Sequence, residues 1–337
     1  MRKALVTGGC GFIGSNLSKA LAREGWVVDI VDDMSNGHLE LLEGQKMRVI
    51  PADLLGEFYD QKYSTTGDTR DPGEIHVIQG DFSHISVLSN ICNNKYNVVF
   101  HQAAIPRVSF SVENPSLTTD VNISKTVKLF EACCGNVERI VFASSSSVYG
   151  GADDLPTHES HLKNPKSPYA WQKSAIEDLS KLFCNLYDID IVCLRYFNVF
   201  GPGQYGDSPY STAVSAWCNA TKIGVPMRSD GDGTQSRDMC YVDNTVQANI
   251  LAANKTGFDF MGRCYNIACG DSTTNNQIID YFKEKFSHAA VIDAPWRPGD
   301  VMHTQADISR AQEELGYEPK IRFWEGLEKT LLWWEIE

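Results

Sequence analysis

The chain has no apolar run approaching the ~20 residues of a membrane-spanning helix, and Met1-Arg2-Lys3 leads into a strand-like segment with neither the apolar core nor the cleavage site of a secretory signal. A cytoplasmic protein with no membrane partner is expected. Basic residues are also in short supply. Thirty Lys and Arg against 43 Asp and Glu leave a net charge of -13, a field that disfavours nucleic acid and anionic lipid as partners. An anionic ligand must therefore be met by local Arg side chains. Cys-x-x-Cys spacing is absent among the ten cysteines, and several lie inside apolar runs such as Ile191-Val192-Cys193-Leu194. They read as reduced packing thiols rather than disulfides or zinc ligands, and no metal is expected.

What is present is enough apolar residue, 42% of 337 positions, to bury a large core and a smaller one. Strand-like segments at 2–6, 27–32, 75–79, 98–101, 139–143 and 189–195 alternate with helical patterns. This predicts an α/β fold, a doubly wound parallel sheet (Rossmann) over residues 1–200. The rhythm loosens after Gly201, so residues 201–337 are assigned mainly to a smaller carboxyl-terminal α/β domain with some chain crossover. Segment 265–268 and an amphipathic helix over 323–334 mark it. An inserted loop at about 45–74 interrupts the first domain and is flanked by two similar segments, 49–53 and 77–81. The second is assigned as the third strand, because its distance to His101 suits one helix, and the first goes to the loop. The insertion is either an exposed excursion or a lid or subunit contact.

Between the first strand and first helix runs Thr7-Gly8-Gly9-Cys10-Gly11-Phe12-Ile13-Gly14. Gly8, Gly11 and Gly14 let backbone amides approach a pyrophosphate, and the helix opening at Phe12 and Ile13 supplies positive potential. Asp32 ends the next strand at the offset expected for a carboxylate bonding adenosine ribose hydroxyls. That carboxylate repels a 2'-phosphate and no Arg follows it, so NAD is predicted over NADP. Asp81 and Phe82 fit two readings, an acidic ligand and apolar wall for the adenine, or a helix cap and a core residue. Gln102, Ala103 and Ala104 follow His101 at the end of the fourth strand, small enough for close approach to the cofactor; His101 itself reads as structural. Tyr169 and Lys173, in Ser-Pro-Tyr-Ala-Trp-Gln-Lys, stand one helical turn apart on one face. A phenol titrates near pH ~10, and an adjacent ammonium favours the phenolate, so this pair predicts a general base for proton and hydride chemistry on a sugar alcohol.

With residues 144–150 and Arg195-Tyr-Phe-Asn-Val-Phe-Gly-Pro202, these segments resemble the extended short-chain dehydrogenase/reductase family over nearly the whole chain. Within it they resemble the nucleotide-sugar epimerases and dehydratases. The resemblance implies a nucleotide-sugar-binding second domain, NAD held through turnover, and a homodimer formed through a four-helix bundle that contains the Tyr-Lys helix. It also implies roles: Ser145 bonds the reacting hydroxyl, Tyr169 removes its proton, and Lys173 binds the nicotinamide ribose and lowers the Tyr169 pKa. A hydride leaves sugar C4 and returns to the opposite face of a 4-keto intermediate.

Similar 4,6-dehydratases carry Asp and Glu where this chain has Ser146 and Ser147, and uronate decarboxylases carry Glu at the position of Ser147. Asn198 matches the hexose and N-acetylhexosamine 4-epimerases, where uronate epimerases have Thr. Thr304 falls at the family's sugar-pocket gatekeeper, small enough to admit an N-acetyl group. Arg237 and Arg297 resemble the diphosphate-binding arginines, and Asp300 the ribose ligand. The resemblance is strongest to UDP-N-acetylglucosamine 4-epimerases, so interconversion of UDP-N-acetylglucosamine and UDP-N-acetylgalactosamine is expected, with UDP-glucose and UDP-galactose as further substrates. Alternatives are a UDP-glucuronate 4-epimerase, a nucleotide-sugar 4,6-dehydratase, or a non-catalytic NAD-binding regulator. Such regulators typically lose the Tyr or the Lys.

Overall fold

A computed structural model describes residues 2–55, 73–93, 96–106, 108–152, 154–206, 212–296 and 301–336. Eight strands form one wholly parallel sheet: β1 (Lys3–Thr7), β2 (Val27–Asp32), β3 (Met47–Pro51), β4 (Ile75–Gln79), β5 (Val98–His101), β6 (Arg139–Ser145), β7 (Asp190–Tyr196) and β8 (Arg263–Ile267). Their order is β3-β4-β2-β1-β5-β6-β7-β8. The inner strands are covered on both faces, which is why they are near-continuous apolar runs. Alternation along β1 sends Leu5 into the core with Val99, Ile140 and Phe130, and Val6 into the core with Leu17, Ile30 and Phe100. The strand order reverses between β1 and β5, so their carboxyl ends open a crevice where a parallel sheet of this kind takes its ligand.

Four helices pack on the sheet: α1 (Phe12–Arg23), α2 (Ile85–Cys92), α3 (Pro115–Thr119, passing through a π-helical turn, Asp120–Lys125, into Thr126–Cys133) and α4 (Pro168–Leu186). The smaller carboxyl-terminal α/β region pairs Met227–Asp230 with Val291–Ala294 and Ser236–Arg237 with Thr273–Thr274. Its helix Val242–Asn254 packs back on α1. All ten cysteines are free thiols. No described helix is long and apolar enough to cross a membrane.

Two assignments change. Segment 49–53, given to an inserted loop, overlaps the edge strand β3, which pairs with β4 in register from Met47 with Ile75 to Pro51 with Gln79. The outer edge of β4 needs hydrogen-bond partners, and Ile50 joins the core of Ile78 and Phe82 while Met47 and Val49 stay exposed. The polar stretch 56–72 lies outside the described residues. Segment 265–268, taken as part of the second domain, belongs largely to β8 beside β7. Tyr265 and Ile267 are fully buried there, so the chain crosses back to close the first sheet.

Candidate active site

The glycine loop packs directly on the end of β5. Gly8 has φ +67°, and a Cβ there would lie 2.9 Å from the backbone N and Cα of Ala103. At Gly14 a Cβ would stand 2.1 Å from the Gly8 carbonyl oxygen, so the first turn of α1, opening with Phe12 and Ile13, presses on the loop. Gly11 caps α1 with no side-chain hydrogen bond, leaving helix amides for an anion. Asp32 ends β2, its carboxylate accepting from the amides of Cys10 and Met34, each at 2.9 Å. Burial raises its pKa and those two bonds oppose the rise. Gln102 bonds Asn249 at 3.0 Å and accepts from Tyr196 at 3.1 Å, while the Ala103 amide donates to Thr7 Oγ1 at 3.1 Å; Ala104 follows, half-buried.

Asp81 accepts from the Ser83 amide at 2.7 Å and from Lys125 Nζ at 2.5 Å. Burial would raise its pKa, but the Lys125 and Ser83 bonds outweigh it and hold the carboxylate low. It closes the turn after β4, whereas the α2 cap is His84. Phe82 is buried, its ring 5.0 Å from that of His101. His101 lies between Thr7 and Thr126, at 2.7 and 2.9 Å. Burial takes its pKa to about 3, so it is a neutral packing residue.

Ser167 starts α4 by accepting from the Ala170 amide at 3.2 Å, with Pro168 in the first turn. This sets Tyr169 and Lys173 on the buried face against β6. Ser145, the last residue of β6, lies close enough to Tyr169 to lower its pKa. Lys173 Nζ donates to the Ala143 carbonyl at 2.7 Å and lies 5.9 Å from the Tyr169 ring centroid. The three sequence-predicted catalytic residues therefore converge. The expected low Tyr169 pKa does not appear: burial raises it to about 12, with nearby Ser145 opposing. Burial likewise lowers Lys173 to about 7. Spacing alone had set an ammonium beside a phenol, but Nζ is tied to a carbonyl and desolvation of both groups outweighs their attraction.

Asn198, just after β7, donates through Nδ2 to Thr304 Oγ1 and to the Asp238 carbonyl, both at 3.3 Å. The Asp238 amide donates to the same Thr304 hydroxyl at 3.2 Å. The two residues expected from the sequence to discriminate among substrates thus touch. Asp238, absent from the sequence reading, accepts from the amides of Cys269, Gly270 and Ala306 at 2.9, 3.1 and 3.0 Å. Its carboxylate joins three chain segments, and burial raises its pKa to about 7 against those bonds. Arg237 donates to the carbonyls of Ser236 and Met302 at 2.9 and 3.1 Å. Ser146 and Ser147 form the tight turn after Ser145, and the buried Ser147 hydroxyl has no partner among the described residues. Arg297 and Asp300 lie outside the described residues.

The sequence reading also passed over Glu177 and Arg195 as partners. Its available signal was an Arg inside the apolar strand Cys193-Leu194-Arg195-Tyr196, since a buried charge needs a counter-charge.

Residues 4–268 match the model of the NAD dependent epimerase/dehydratase family. A putative UDP-glucose 4-epimerase of Methanocaldococcus jannaschii is 32% identical over 98% of this chain and 97% of its own. UDP-glucuronate 4-epimerases recur among the relatives; that of Thermodesulfobacterium geofontis is 31% identical over 98% and 95%. Among solved structures, the UDP-N-acetylglucosamine 4-epimerase of Methanobrevibacter ruminantium, in complex with UDP-N-acetylmuramic acid, superposes with a TM-score of 0.84 at 33% identity over 99% and 98%. The Thermus thermophilus UDP-glucose 4-epimerase, in complex with NAD, gives 0.81 at 28% identity over 99% of each chain.

Proposed function

From the premise that this chain belongs to the NAD-dependent epimerase/dehydratase family, we propose that it interconverts UDP-N-acetylglucosamine and UDP-N-acetylgalactosamine by epimerisation at C4, accepting UDP-glucose and UDP-galactose as well. NAD is its cofactor, as in the Thermus relative. The residues present fit that group: Gly8 and Gly14 leave no room for a side chain, the α1 amides have no side-chain cap, and Asp32 ends the adjoining strand. Bound there, NAD would supply the hydride acceptor and donor for sugar C4. Tyr169 accepts the hydroxyl proton and returns it, Ser145 orients both oxygens, and Lys173, anchored on the Ala143 carbonyl, would hold the nicotinamide ribose. No net redox change results.

The observation that carries the substrate reading is the Asn198–Thr304 contact. It supports a wall made of a small side chain, with the Thr304 hydroxyl turned toward Asn198 and Asp238. Ser146 and Ser147 offer no acid or base for eliminating water. The purified protein, given UDP-N-acetylglucosamine without added reductant, should form the galacto epimer; no epimer at high enzyme concentration would sink the reading. Thr304→Tyr should lose the acetylated substrate selectively, and equal losses for acetylated and plain sugars would remove Thr304 as the gatekeeper.

A second reading, a UDP-glucuronate 4-epimerase, draws more support from the relatives, among which that activity recurs. The product assay therefore includes UDP-glucuronate, and conversion of that sugar alone decides for it. A homodimer through α3 and α4 completes the proposal, supported by the exposed apolar side chains Leu117, Trp171, Leu182 and Leu186 on these helices.

A further inference from the structure

A buried carboxylate that the chemistry above does not use lies behind the catalytic residues. Glu177 is fully buried on α4, one turn beyond Lys173 and two beyond Tyr169. Arg195 of β7 grips it with both arms of the fork, Nε to Oε1 at 2.8 Å and Nη2 to Oε2 at 2.7 Å. Ser144 of β6, the neighbour of Ser145, donates to Oε1 at 2.6 Å. The remaining arm of Arg195 donates to the Tyr149 hydroxyl at 2.7 Å, and Tyr149 donates to Asn266 of β8 at 2.7 Å. One ion pair thus ties α4 to the strand and turn that carry Ser145, Ser146 and Ser147.

We infer that the Glu177–Arg195 pair is the positioning device of the catalytic centre, fixing Ser145 against Tyr169 and Lys173 and supplying the anion that Lys173 faces. The inference rests on the proposed proton chemistry of Tyr169 and Lys173. A buried ion pair is a poor device for stability, because desolvation takes back most of the attraction. What a bidentate fork gives is direction and register. Its reach over three elements that each carry or adjoin a catalytic residue is therefore the informative feature.

The electrostatics around Lys173 agree. It faces Tyr169 and Glu177 on its own helix, Cys193 on β7 and His101 on β5. His101 is held neutral by burial. The Cys193 thiol stays protonated, its hydrogen bond with Cys264 and its burial raising it, so the carboxylate that Arg195 pairs with is the negative group in this set. Glu177 in turn faces Ser144, Arg195 and Lys163, whose Nζ is 3.6 Å away. Removing the carboxylate charge leaves Lys173 with burial alone, and it loses its proton at lower pH.

The test follows Lys173 directly by NMR of lysine labelled at Cε in the NAD-loaded protein, its signal assigned by its absence from Lys173→Met. Glu177→Gln should move the Lys173 midpoint down by about one pH unit and cut kcat about 100-fold with KM nearly constant. Glu177→Asp, which keeps the charge, should hold the midpoint while losing kcat. A purely structural role lowers Tm and leaves the midpoint in place, so a folded Glu177→Gln protein with the wild-type midpoint overturns the inference. If Glu177→Gln does not fold, Ser144→Ala decides. A fall in kcat of about tenfold at unchanged Tm supports the device, and wild-type kcat rejects it. The titration needs no substrate, so a wild-type protein inactive on every UDP-sugar would defeat the proposed function and leave this result readable.

Discussion

The proton chemistry proposed for Tyr169 falls at a position where burial opposes it: the phenol is raised to about 12, and nearby Ser145 is what relieves it in the protein itself. Turnover should therefore depend steeply on that one oxygen. Tyr169→Phe is expected to reduce kcat about 10³-fold while leaving the NAD content of the purified protein intact, and unchanged turnover would point to another base. At the cofactor end, Gly14→Ala places a methyl 2.1 Å from the Gly8 carbonyl oxygen, which cannot be relieved without moving loop or helix. NAD recovered from the denatured variant should fall to a small fraction of the wild-type content, and full occupancy would show that the loop adapts. Both positions were legible in the sequence because their geometry is local: one helical turn for Tyr169 and Lys173, one strand-turn-helix for the glycines. Their pKa values were not, because desolvation is set by β6 and the sheet behind α4. The Glu177 pairing was hidden for the same reason, its partners coming from β6 and β7.

Between elements, the fixed point is the π-helical turn of α3. Asn122 there accepts from the Ile105 amide at 2.8 Å, and its amide donates to the Ile105 carbonyl at 3.1 Å and to Gln172 of α4 at 2.8 Å. Gln172 donates in turn to Thr118 and Thr119, both at 3.0 Å. The extra residue in the turn aims one amide at both the loop after β5 and the catalytic helix, a use typical of π-bulges. Asn122→Ala leaves buried polar groups unmatched on two sides and should cost about 2 kcal/mol. A thermal melt should show Tm lower by several degrees, and an unchanged Tm would mean that water replaces the amide. Start signals of α4, Ser167 and Pro168, could be read directly. The π turn could not, since no residue type marks it, and β3 escaped because an edge strand is chosen by its neighbour's unpaired backbone rather than by its own pattern.

At the scale of the whole molecule, α4 presents two unlike faces. Tyr169, Lys173 and Glu177 point inward, while Trp171, Leu182 and Leu186 fall within about 60° of one another around the helix at 100° per residue. All three are at least half exposed, Trp171 at 53%. Leu117 of α3 adds a further exposed apolar side chain beside α4. Apolar residues clustered on adjoining helices rather than scattered singly mark an interaction surface, and two copies meeting there form the proposed four-helix bundle. The net charge of -13 on each chain opposes that association at long range, so the contact must be made by apolar burial and should tighten as salt screens the repulsion. Light scattering on the eluted protein should give twice the 37.5 kDa chain mass. Trp171→Glu with Leu182→Glu should return it to one chain mass. Ser145, Tyr169 and Lys173 come from a single chain, so the monomeric variant should retain epimerase activity and lose thermal stability, because the bundle braces α4 from outside. A variant that stays dimeric would place the subunit contact elsewhere, and a wild-type protein that elutes as a monomer at low and high salt would leave these helices without a second copy to cover them.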